Sequence, residues 1–483
     1  MQKERKKGAN HEEHENTQVF KRTTFPIPFA LISKQENINI ITQNYSKSFR
    51  ENQIIQAFKF HSEGKISEAK KYYEYCINQK FNDHRIFSNY GTILQELGQL
   101  KEAEVMTRKA IKIKPDLADL HYNLGTILRD IGELNQAKES EIKAIQINPD
   151  LSKSYFILST LEFVGFKKSL RSKLFSKNIL NSKTTKEKVD IYFARSNILH
   201  IEKNYLESAK YLTLANNLKL NNKPSNPHIL FKKSKSLLIE AEQTKVNEKE
   251  YIQSPECIFI VGMPRSGSTL LESILSMNNN VNDLGENNIL EDTFIYLKKI
   301  NKINHLAELY WKKSRTYNDE SNIITNKWLY NYLYTGIIAS QIPNSKIIHC
   351  FRNPLDNILS IYRTHFAKGN EYASSLIDCA EVYLNQEKVM KQYKKRYRSK
   401  IYDLNYDLLV TNKNQEIKSL INWLGWEWDD TYLSPHLNPR SISTASSVQV
   451  RSPISSKSVG GWTNYRKMLE PAIEIFNRKK ILF

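Results

Sequence analysis

The second half of the chain alternates short apolar runs with segments whose apolar residues recur at helical spacing. The runs at 257–262, 345–351 and 399–406 have the length and composition of buried strands. The segments 268–276, 354–366 and 414–426 carry their apolar residues on one helical face. Because strands that alternate with helices form a mainly parallel sheet with helices on both faces, residues 256–483 are predicted to be an α/β domain.

The first half of the chain contains a repeat of 34 residues. Segments 89–119 and 123–153 share small residues and proline at equivalent positions: Gly91 and Gly125, Gly98 and Gly132, Ala103 and Ala137, Ala110 and Ala144, Pro115 and Pro149. Gly64 and Ala69 keep the register one period earlier, and a weaker unit spans 192–220. This is the tetratricopeptide pattern, which predicts pairs of antiparallel helices stacked into an all-α solenoid.

The remaining segments suggest a division of the chain. Residues 1–48 are predicted to be a polar, flexible tail, 49–220 the repeat domain, 221–255 a connecting segment with a helix near Leu237, and 256–483 the α/β domain. Within the repeat domain, the basic and serine-rich stretch 167–188 is interpreted as a degenerate repeat.

Composition narrows the possible partners only slightly. The net charge is +20, but lysine and arginine are spread along all 483 residues and no nucleic-acid recognition motif accompanies them, so we expect no nucleic acid. The four cysteines show no CxxC spacing and are expected to be buried, reduced thiols. No apolar run is long enough to span a bilayer and the N-terminus is polar, so a cytoplasmic location is expected.

The most informative segment is 258–275, where an apolar run leads through a turn into an amphipathic helix. A strand, a glycine-containing loop and a helix N-terminus together form an anion site, because backbone N–H groups converge there. Gly262 and Gly267 have the spacing of a nucleotide-binding P-loop, but Ser268 stands where that loop has its lysine. This pattern predicts a site for a 5′-phosphate group without Mg²⁺. The alternative is a tight turn in which Ser266 or Ser268 caps the helix.

Residues 264–271 and 346–362 together resemble the two nucleotide motifs of the sulfotransferases that use 3′-phosphoadenosine 5′-phosphosulfate (PAPS). The resemblance is to the tyrosylprotein sulfotransferase branch and to bacterial proteins that fuse tetratricopeptide repeats to this domain. It implies that residues 265–269 bind the 5′-phosphosulfate, that Arg352 and Ser360 bind the 3′-phosphate, and that Tyr406 lines the pocket. The loop residues concerned are Arg265, Ser266, Gly267, Ser268 and Thr269.

The same resemblance implies catalytic roles. Glu286 matches the base that accepts the proton of the acceptor hydroxyl, and Lys327 matches the lysine between donor and acceptor. Ser446 or Ser447 matches a serine that stabilises the transition state, and Trp462 a tryptophan of the loop that closes over the nucleotide. Gly461 stands where animal relatives have a lysine, for which Lys457 or Arg451 is a candidate replacement.

Each of these residues also has a simpler interpretation. Glu286 is otherwise a solvated loop residue and Lys327 a surface lysine. Arg352 could form a surface salt bridge with Asp356, and Ser360 could be an ordinary helix hydroxyl. The family's further arginine, four residues after the serine, is replaced here by Thr364 with Arg363 beside it. His305, His349 and His365 lack the context of the family's histidine base, and His349 is expected to be packed and hydrogen-bonded.

These observations predict a metal-free enzyme that transfers a sulfuryl group from PAPS to a hydroxyl. Protein tyrosine is the acceptor that the branch implies, while sugars and small molecules stay open. The repeats are expected to bind the acceptor protein or a partner, and a homodimer stays open. The alternatives are a nucleotide kinase, against which the missing P-loop lysine argues, and a repeat scaffold with an inactive nucleotide-binding domain.

Overall fold

The computed structural model describes residues 45–480 except 162–167, 248–253, 316–321, 367–368, 441 and 443. Residues 1–44 of the expected tail lie outside the described residues, and residues 45–48 belong to the first helix. The proposed division of the chain into four segments stays a prediction.

The first half of the described chain is helical, as the 34-residue repeat predicts. Its helices are α1 (Tyr45–Ser62), α2 (Ile66–Asn78), α3 (His84–Glu96), α4 (Leu100–Ile113), α5 (Ala118–Ile131), α6 (Leu134–Ile147), α7 (Ser152–Thr160), α8 (Lys168–Phe175), α9 (Thr185–Ile201), α10 (Tyr205–Asn222) and α11 (His228–Gln243), with a 3-10 helix at Asn178–Leu180.

The recurring glycines have the roles that the repeat predicts. A Cβ atom on Gly91 would lie 2.7 Å from Thr107 Oγ1, so glycine allows α3 and α4 to pack closely. Gly98 and Gly132 have φ of 78° and 105° and stand at the ends of α3 and α5, where the left-handed conformation favours glycine. The weaker unit is confirmed as α9 and α10, and the helix near Leu237 as α11.

The stretch interpreted as a degenerate repeat does not contain two full-length helices in its described part. The described part of 167–188 holds the two-turn helix α8, the 3-10 helix and the start of α9. Thr184 caps α9 in a capping box with Glu187, which sets the start of that helix at Thr185.

The second half of the chain forms the predicted α/β structure. Its elements are β1 (Glu256–Gly262), α12 (Ser268–Leu275), β2 (Val281–Asp283), α13 (Ile289–Lys299), α14 (Leu306–Arg315), β3 (Ile323–Asn326), α15 (Thr335–Gln341), β4 (Ser345–Phe351), α16 (Pro354–Tyr362), α17 (Leu376–Tyr397), β5 (Ile401–Asn405), α18 (Tyr406–Thr411), α19 (Lys413–Leu424) and α20 (Arg466–Arg478). Short 3-10 helices lie at Ile303–His305, Leu329–Tyr334, Glu371–Ser374, Arg398–Lys400, Asp430–Leu433, Pro435–Leu437, Gln449–Arg451 and Gly461–Tyr465.

The five strands pair in parallel in the order β2-β3-β1-β4-β5. Phe259 and Val261 of β1 pack into one apolar cluster, while Ile258 and Ile260 pack into another on the opposite face. The parallel sheet with both faces covered is therefore confirmed. In β1 and β4, Gly262 pairs with Cys350, so the loops after these two strands begin side by side.

The repeats and the sheet domain share an apolar core. Phe193 of α9 and Leu212 of α10 belong to the same buried cluster as Ile358 and Ile361 of α16. Asn216 Nδ2 also donates a 2.9 Å hydrogen bond to the carbonyl of Tyr362. The last repeat helices therefore support the helix that follows β4.

Candidate active site

The loop between β1 and α12 follows a path that only glycine permits at two positions. Gly262 has φ of 143°, and a Cβ atom there would lie 2.2 Å from the carbonyl oxygen of Cys350. Gly267 has φ of 93°, and its Cβ would lie 2.2 Å from Cδ2 of Tyr406. The loop is therefore fixed between the end of β4 and the Tyr406 ring.

The serines of this loop do not cap α12. Its N-cap residue is Gly267, and Ser268 is the first residue of the helix. Ser266 Oγ is buried and has no hydrogen-bond partner among the described residues. The helix-cap interpretation is therefore wrong, and a buried hydroxyl stands unused beside a helix N-terminus, where anions bind well.

The guanidinium of Arg265 joins three parts of the chain. Its Nε donates to Ser360 Oγ of α16 at 3.2 Å, and its Nη1 donates to Ser446 Oγ. Its Nη2 donates to Gln449 Oε1 at 2.7 Å. Arg265, Ser360 and Ser446 were all predicted site residues, whereas the sequence analysis missed Gln449.

Arg352 follows β4 directly, and its side chain is buried. Its Nη2 donates to the carbonyl of Ser458 at 2.9 Å, and its Cζ lies 4.6 Å from the centre of the Tyr406 ring. Its Nε has no hydrogen-bond partner among the described residues. Because a buried donor without a partner is costly, this guanidinium is suited to an additional acceptor such as a phosphate oxygen.

Two carboxylates lie near Arg352 but bond mainly to backbone. Asp356 and Asp407 lie 3.8 and 3.7 Å from its guanidinium nitrogens, so the contact with Asp356, the alternative interpretation of Arg352, is buried and loose and not a surface salt bridge. Asp356 accepts hydrogen bonds from the N–H groups of Gly460 (2.7 Å) and Trp462 (2.9 Å). Asp407 accepts one from the N–H of Asn353 at 2.6 Å. These carboxylates hold the loops around Arg352.

The electrostatics of this region favour an anion. Burial, and after it the positive charge of Arg352, lowers the pKa of Arg265 to about 10. The Tyr406 ring contacts both Gly267 and Arg352, and its hydroxyl lies 3.1 Å from Ser458 Oγ. Two cations, a loop of backbone amides and an aromatic ring therefore border one region at the carboxyl edge of the sheet.

Lys327 and Glu286 meet at the next strand ends. Lys327 Nζ lies 2.8 Å from Glu286 Oε1 and 3.5 Å from Thr269 Oγ1. The lysine side chain is 0% exposed, so the surface-lysine interpretation is wrong, whereas that of Glu286 is 35% exposed. The N–H of Lys327 also donates to the carbonyl of Gly285, which fixes the two loops together.

Behind Lys327 lies a group of buried charges that the sequence analysis missed. Glu272 Oε2 lies 3.4 Å from Lys327 Nζ and accepts a 3.0 Å hydrogen bond from Arg440 Nη2. Arg440 also pairs with Asp283 at the end of β2. A glutamate within the apolar sequence of α12 was a detectable signal, but its partner Arg440 lies 168 residues away.

The C-terminal loops place the other predicted residues. Ser446 contacts Arg265, whereas Ser447 is buried and its N–H donates to the carbonyl of Thr444. Trp462 is half-buried against the apolar cluster shared with the repeats. A Cβ atom on Gly461 would come no closer than 3.9 Å to Asp356, so this position has room for a side chain.

The candidate replacements for the missing lysine are not equally placed. The guanidinium of Arg451 donates to three backbone carbonyls, one of them in the repeats, so Arg451 as the replacement is wrong. Lys457 is exposed.

Thr364 stands at the position of the family's further arginine, with Arg363 beside it. Thr364 Oγ1 donates a 2.7 Å hydrogen bond to the carbonyl of Ser360. The charge of Arg363 contributes to lowering the pKa of Arg265.

His349 and the four cysteines are packed in the interior, as expected. His349 is buried between Gln386 Nε2 (2.6 Å) and Lys394 Nζ (2.9 Å), which confirms a packed, hydrogen-bonded histidine. All four cysteines are buried and unpaired by disulfides. In the described part of the chain, no cluster of three His, Cys, Asp or Glu residues could hold a metal ion. Every helix within the described ranges is too short or too polar to span a bilayer.

Comparisons with known proteins agree with this architecture. The family model described as "Sulfotransferase family" matches residues 255–303 and 297–430, and that described as "Tetratricopeptide repeat" matches 84–117 and 118–151. An uncharacterized protein of Aquifex aeolicus (strain VF5) is 31% identical over 241 residues, covering 45% of this chain and 32% of the relative. The chain thus spans about a third of the length of that curated relative.

Two solved sulfotransferase domains are similar to the second half of the chain. One comes from the curacin biosynthetic pathway (16% identity, 48% of this chain, 99% of that chain, TM-score 0.32). The other comes from the Synechococcus PCC 7002 olefin synthase (15% identity, 47% of this chain, 98% of that chain, TM-score 0.34). With the family matches and the parallel sheet, the conclusion is that this chain joins tetratricopeptide repeats to a domain of the sulfotransferase family.

Proposed function

We propose that this protein transfers a sulfuryl group from PAPS to a hydroxyl group of an acceptor. The observation that carries the proposal is that Tyr406 contacts both the β1–α12 loop and Arg352. The two predicted phosphate-binding motifs, which are distant in sequence, therefore border the same ring. Because both motifs border one ring, a single nucleotide could contact both of them.

The residues present fit such a nucleotide. The unused Ser266 hydroxyl and the amides at the start of α12 would bind the 5′ end, together with Gly267, Ser268 and Thr269. Arg352, whose Nε makes no hydrogen bond within the described part of the chain and lies 3.7 Å from Asp407 Oδ1, would bind the 3′-phosphate. Ser360 accepts a hydrogen bond from Arg265 of the 5′ loop, and with Arg352 it would bind the 3′-phosphate.

PAPS would supply an activated sulfuryl group when bound. Glu286 would accept the proton of the acceptor hydroxyl, because its carboxylate is partly exposed and is oriented by a 2.8 Å contact with Lys327. Lys327, Arg265 and Ser446 would stabilise the negative charge that develops between donor and acceptor. These cations provide the charge complementarity without requiring a metal ion.

The acceptor is the least constrained part of the proposal. Protein tyrosine follows from the tyrosylprotein-like pattern of Glu286 and Lys327, and the repeats would bind the acceptor protein or a partner. We propose that this enzyme acts in the bacterial cytoplasm. The alternative, a repeat scaffold with an inactive nucleotide-binding domain, is favoured by Gly461, which replaces the lysine of the animal relatives.

Isothermal titration with adenosine 3′,5′-bisphosphate tests the nucleotide assignment without an acceptor. We expect the wild type to bind and Arg352→Ala to bind about 10- to 100-fold more weakly, the range for loss of charge-assisted hydrogen bonds. Arg398→Ala is the matched control. Arg398 precedes the amino end of β5 and pairs with Asp403, whereas the candidate site lies at the carboxyl ends of the strands, so this substitution should leave affinity unchanged. A silent titration of the wild type at millimolar ligand would contradict the proposal.

Turnover separates the enzyme from the inactive scaffold. Radiolabelled PAPS is incubated with the wild type and a tyrosine-containing peptide, a sugar or a small phenol. Label transfer to any of the three supports the enzyme and names the acceptor class. Tight binding of the bisphosphate with no transfer to any of them would favour the scaffold.

A further inference from the structure

One short segment contacts both the candidate active site and the repeats. Residues 444–451, which we term the bridging segment, carry Ser446 and Gln449, the two acceptors of hydrogen bonds from Arg265. At the other end of the same segment, the Arg451 guanidinium donates to the carbonyl of Ile131, the last residue of α5, at 3.0 Å. Gln449, which contacts the active site, therefore lies only two positions before Arg451, which contacts the repeats.

Arg451 is held firmly in this position. Besides Ile131, its guanidinium donates to the carbonyls of Asn438 (2.8 Å) and Arg440 (2.6 Å). The planar fork of arginine can satisfy three carbonyl groups at once, which a lysine ammonium does less well. Arg440 is the residue that pairs with Glu272 behind Lys327, so the same guanidinium also braces the chain near the candidate lysine.

Apolar contacts strengthen the attachment to the repeats. Val448 of the bridging segment packs on the buried cluster that contains Leu124 and Leu128 of α5 and Ala137 of α6. Val450 is itself buried. The segment is therefore docked on the repeats both by the packing of Val448 and by the hydrogen bond from the Arg451 side chain to the carbonyl of Ile131, rather than lying free over the site.

We propose that Arg451 is a positioning residue through which the repeats hold Ser446 and Gln449 against Arg265. This inference rests on the proposed function for its consequence, because it makes the repeat array part of the nucleotide site. Removing the contact would let the bridging segment move, and Arg265 would lose two of its three hydrogen-bond acceptors. Nucleotide affinity would then fall although no nucleotide-binding residue had been changed.

The 34-residue repeat supplies a matched pair of substitutions to test this. Gly98 and Gly132 occupy equivalent positions, both with positive φ, although the φ of 105° at Gly132 lies farther from the left-handed region open to alanine than the φ of 78° at Gly98. A Cβ atom on Gly132 would lie 2.8 Å from Arg451 Nε and 3.0 Å from its Cζ, whereas a Cβ on Gly98 meets nothing within 4 Å. Gly132→Ala therefore displaces Arg451 as well as straining the backbone, and Gly98→Ala only strains the backbone.

Hydrogen exchange of the full-length protein measures the docking directly. We expect the amides of residues 444–451 to exchange about tenfold faster in Gly132→Ala than in Gly98→Ala, because they belong to a locally opening unit. Arg451→Ala should give the same increase, which keeps the test decisive if Gly132→Ala does not fold. Equal exchange of this segment in the wild type and in all three variants would overturn the proposal.

Titration with adenosine 3′,5′-bisphosphate measures the consequence. We expect affinity to fall roughly fivefold in Gly132→Ala but to stay at the wild-type value in Gly98→Ala, about the effect of one hydrogen bond. A role for Gly132 in repeat stability alone would lower the affinity of Gly132→Ala but leave that of Arg451→Ala unchanged, because Arg451→Ala does not strain the repeat backbone. If the wild type binds no bisphosphate, the proposed function fails while hydrogen exchange still decides the docking; if it binds and both variants bind equally well, the positioning role fails.

Discussion

Glu286 and Glu272 both lie beside the ammonium of Lys327, but in opposite environments. Glu286 is the closer at 2.8 Å, and its side chain is 35% exposed. Glu272 lies at 3.4 Å, is 2% exposed and also bonds to Arg440. One lysine therefore has a carboxylate at the surface on one side and a carboxylate in the protein interior on the other.

The difference in burial gives the two carboxylates different roles: Glu272 holds Lys327 in place, and Glu286 can reach an acceptor. A buried carboxylate is tolerable only where cations and hydrogen bonds compensate its lost hydration, and Glu272 has two cations. It can therefore fix Lys327 but cannot reach an acceptor. Glu286 is accessible, so it can exchange a proton with a bound hydroxyl, and its contact with the lysine contributes less to folding.

Glu286→Gln is expected to have the largest effect on turnover. Removing the proposed base should lower sulfuryl transfer by about 10²- to 10⁴-fold, the usual contribution of a general base. Affinity for adenosine 3′,5′-bisphosphate should stay unchanged, because Glu286 is not among the residues proposed to bind the nucleotide. Label transfer from PAPS and calorimetric titration measure the two quantities. Turnover within threefold of the wild type would remove Glu286 from the base role.

Glu272→Gln is expected to have the largest effect on stability. The substitution leaves Lys327 and Arg440 without their shared buried anion, which should lower the free energy of unfolding by about 3 kcal/mol. Glu286→Gln should lower it by less than about 1 kcal/mol, as for other partly exposed pairs. Urea unfolding compares the two variants, with Glu474→Gln on the exposed end of α20 as control. Equal losses of unfolding free energy in Glu272→Gln and Glu286→Gln would contradict the distinction between a buried and an exposed carboxylate.

Asp283→Asn should fall between these two. Asp283 pairs with Arg440 and also accepts the N–H of Gly285 at 2.7 Å, while its side chain is 19% exposed. Asparagine can still accept from Gly285 but loses the charge, so a cost of about 1–2 kcal/mol is expected. The same urea series measures it. A loss larger than that of Glu272→Gln would show that Asp283, not Glu272, is the principal partner of Arg440.

The smallest expected effect is that of salt on the stability costs of Glu286→Gln and Glu272→Gln. At about 1 M salt, where the screening length is about 3 Å, the stability cost of Glu286→Gln should vanish. The cost of Glu272→Gln should persist, because a buried pair is screened much less. Unfolding of both variants in low and high salt tests this. Loss of both costs in high salt would indicate that water reaches Glu272.

The parts of the site that were predictable are those encoded within one stretch of sequence. The β1–α12 loop, Arg352 and Ser360 belong to short strand–loop–helix segments, and the expected elements formed there. The strands β2 and β3 were not predicted, because three and four residues are too few to show a pattern. Gly262 and Gly267 were placed by spacing alone, although the reason for each is a contact with a distant residue.

The residues that sequence reasoning missed depend on distant partners. Gln449 reaches Arg265 across 184 residues, and Arg451 reaches Ile131 across 320. Neither has a local pattern that would distinguish it from other polar loop residues, so the sequence offers Arg451 only as one of two candidates for the missing lysine. Glu272 was visible as a charge in an apolar helix, but only the tertiary structure identifies the two cations around it.

The shared core between α9, α10 and α16 limits how this protein can be divided. If the chain were cut between the repeats and β1, Ile358 and Ile361 would lose their cover from Phe193 and Leu212. The isolated sheet domain would then expose an apolar surface to water and tend to aggregate. The hydrogen bond from Asn216 to the carbonyl of Tyr362 at the end of α16 would be lost as well. A repeat array exchanged for a foreign one would have to reproduce that cover, so the two halves are expected to evolve as one unit rather than as interchangeable modules.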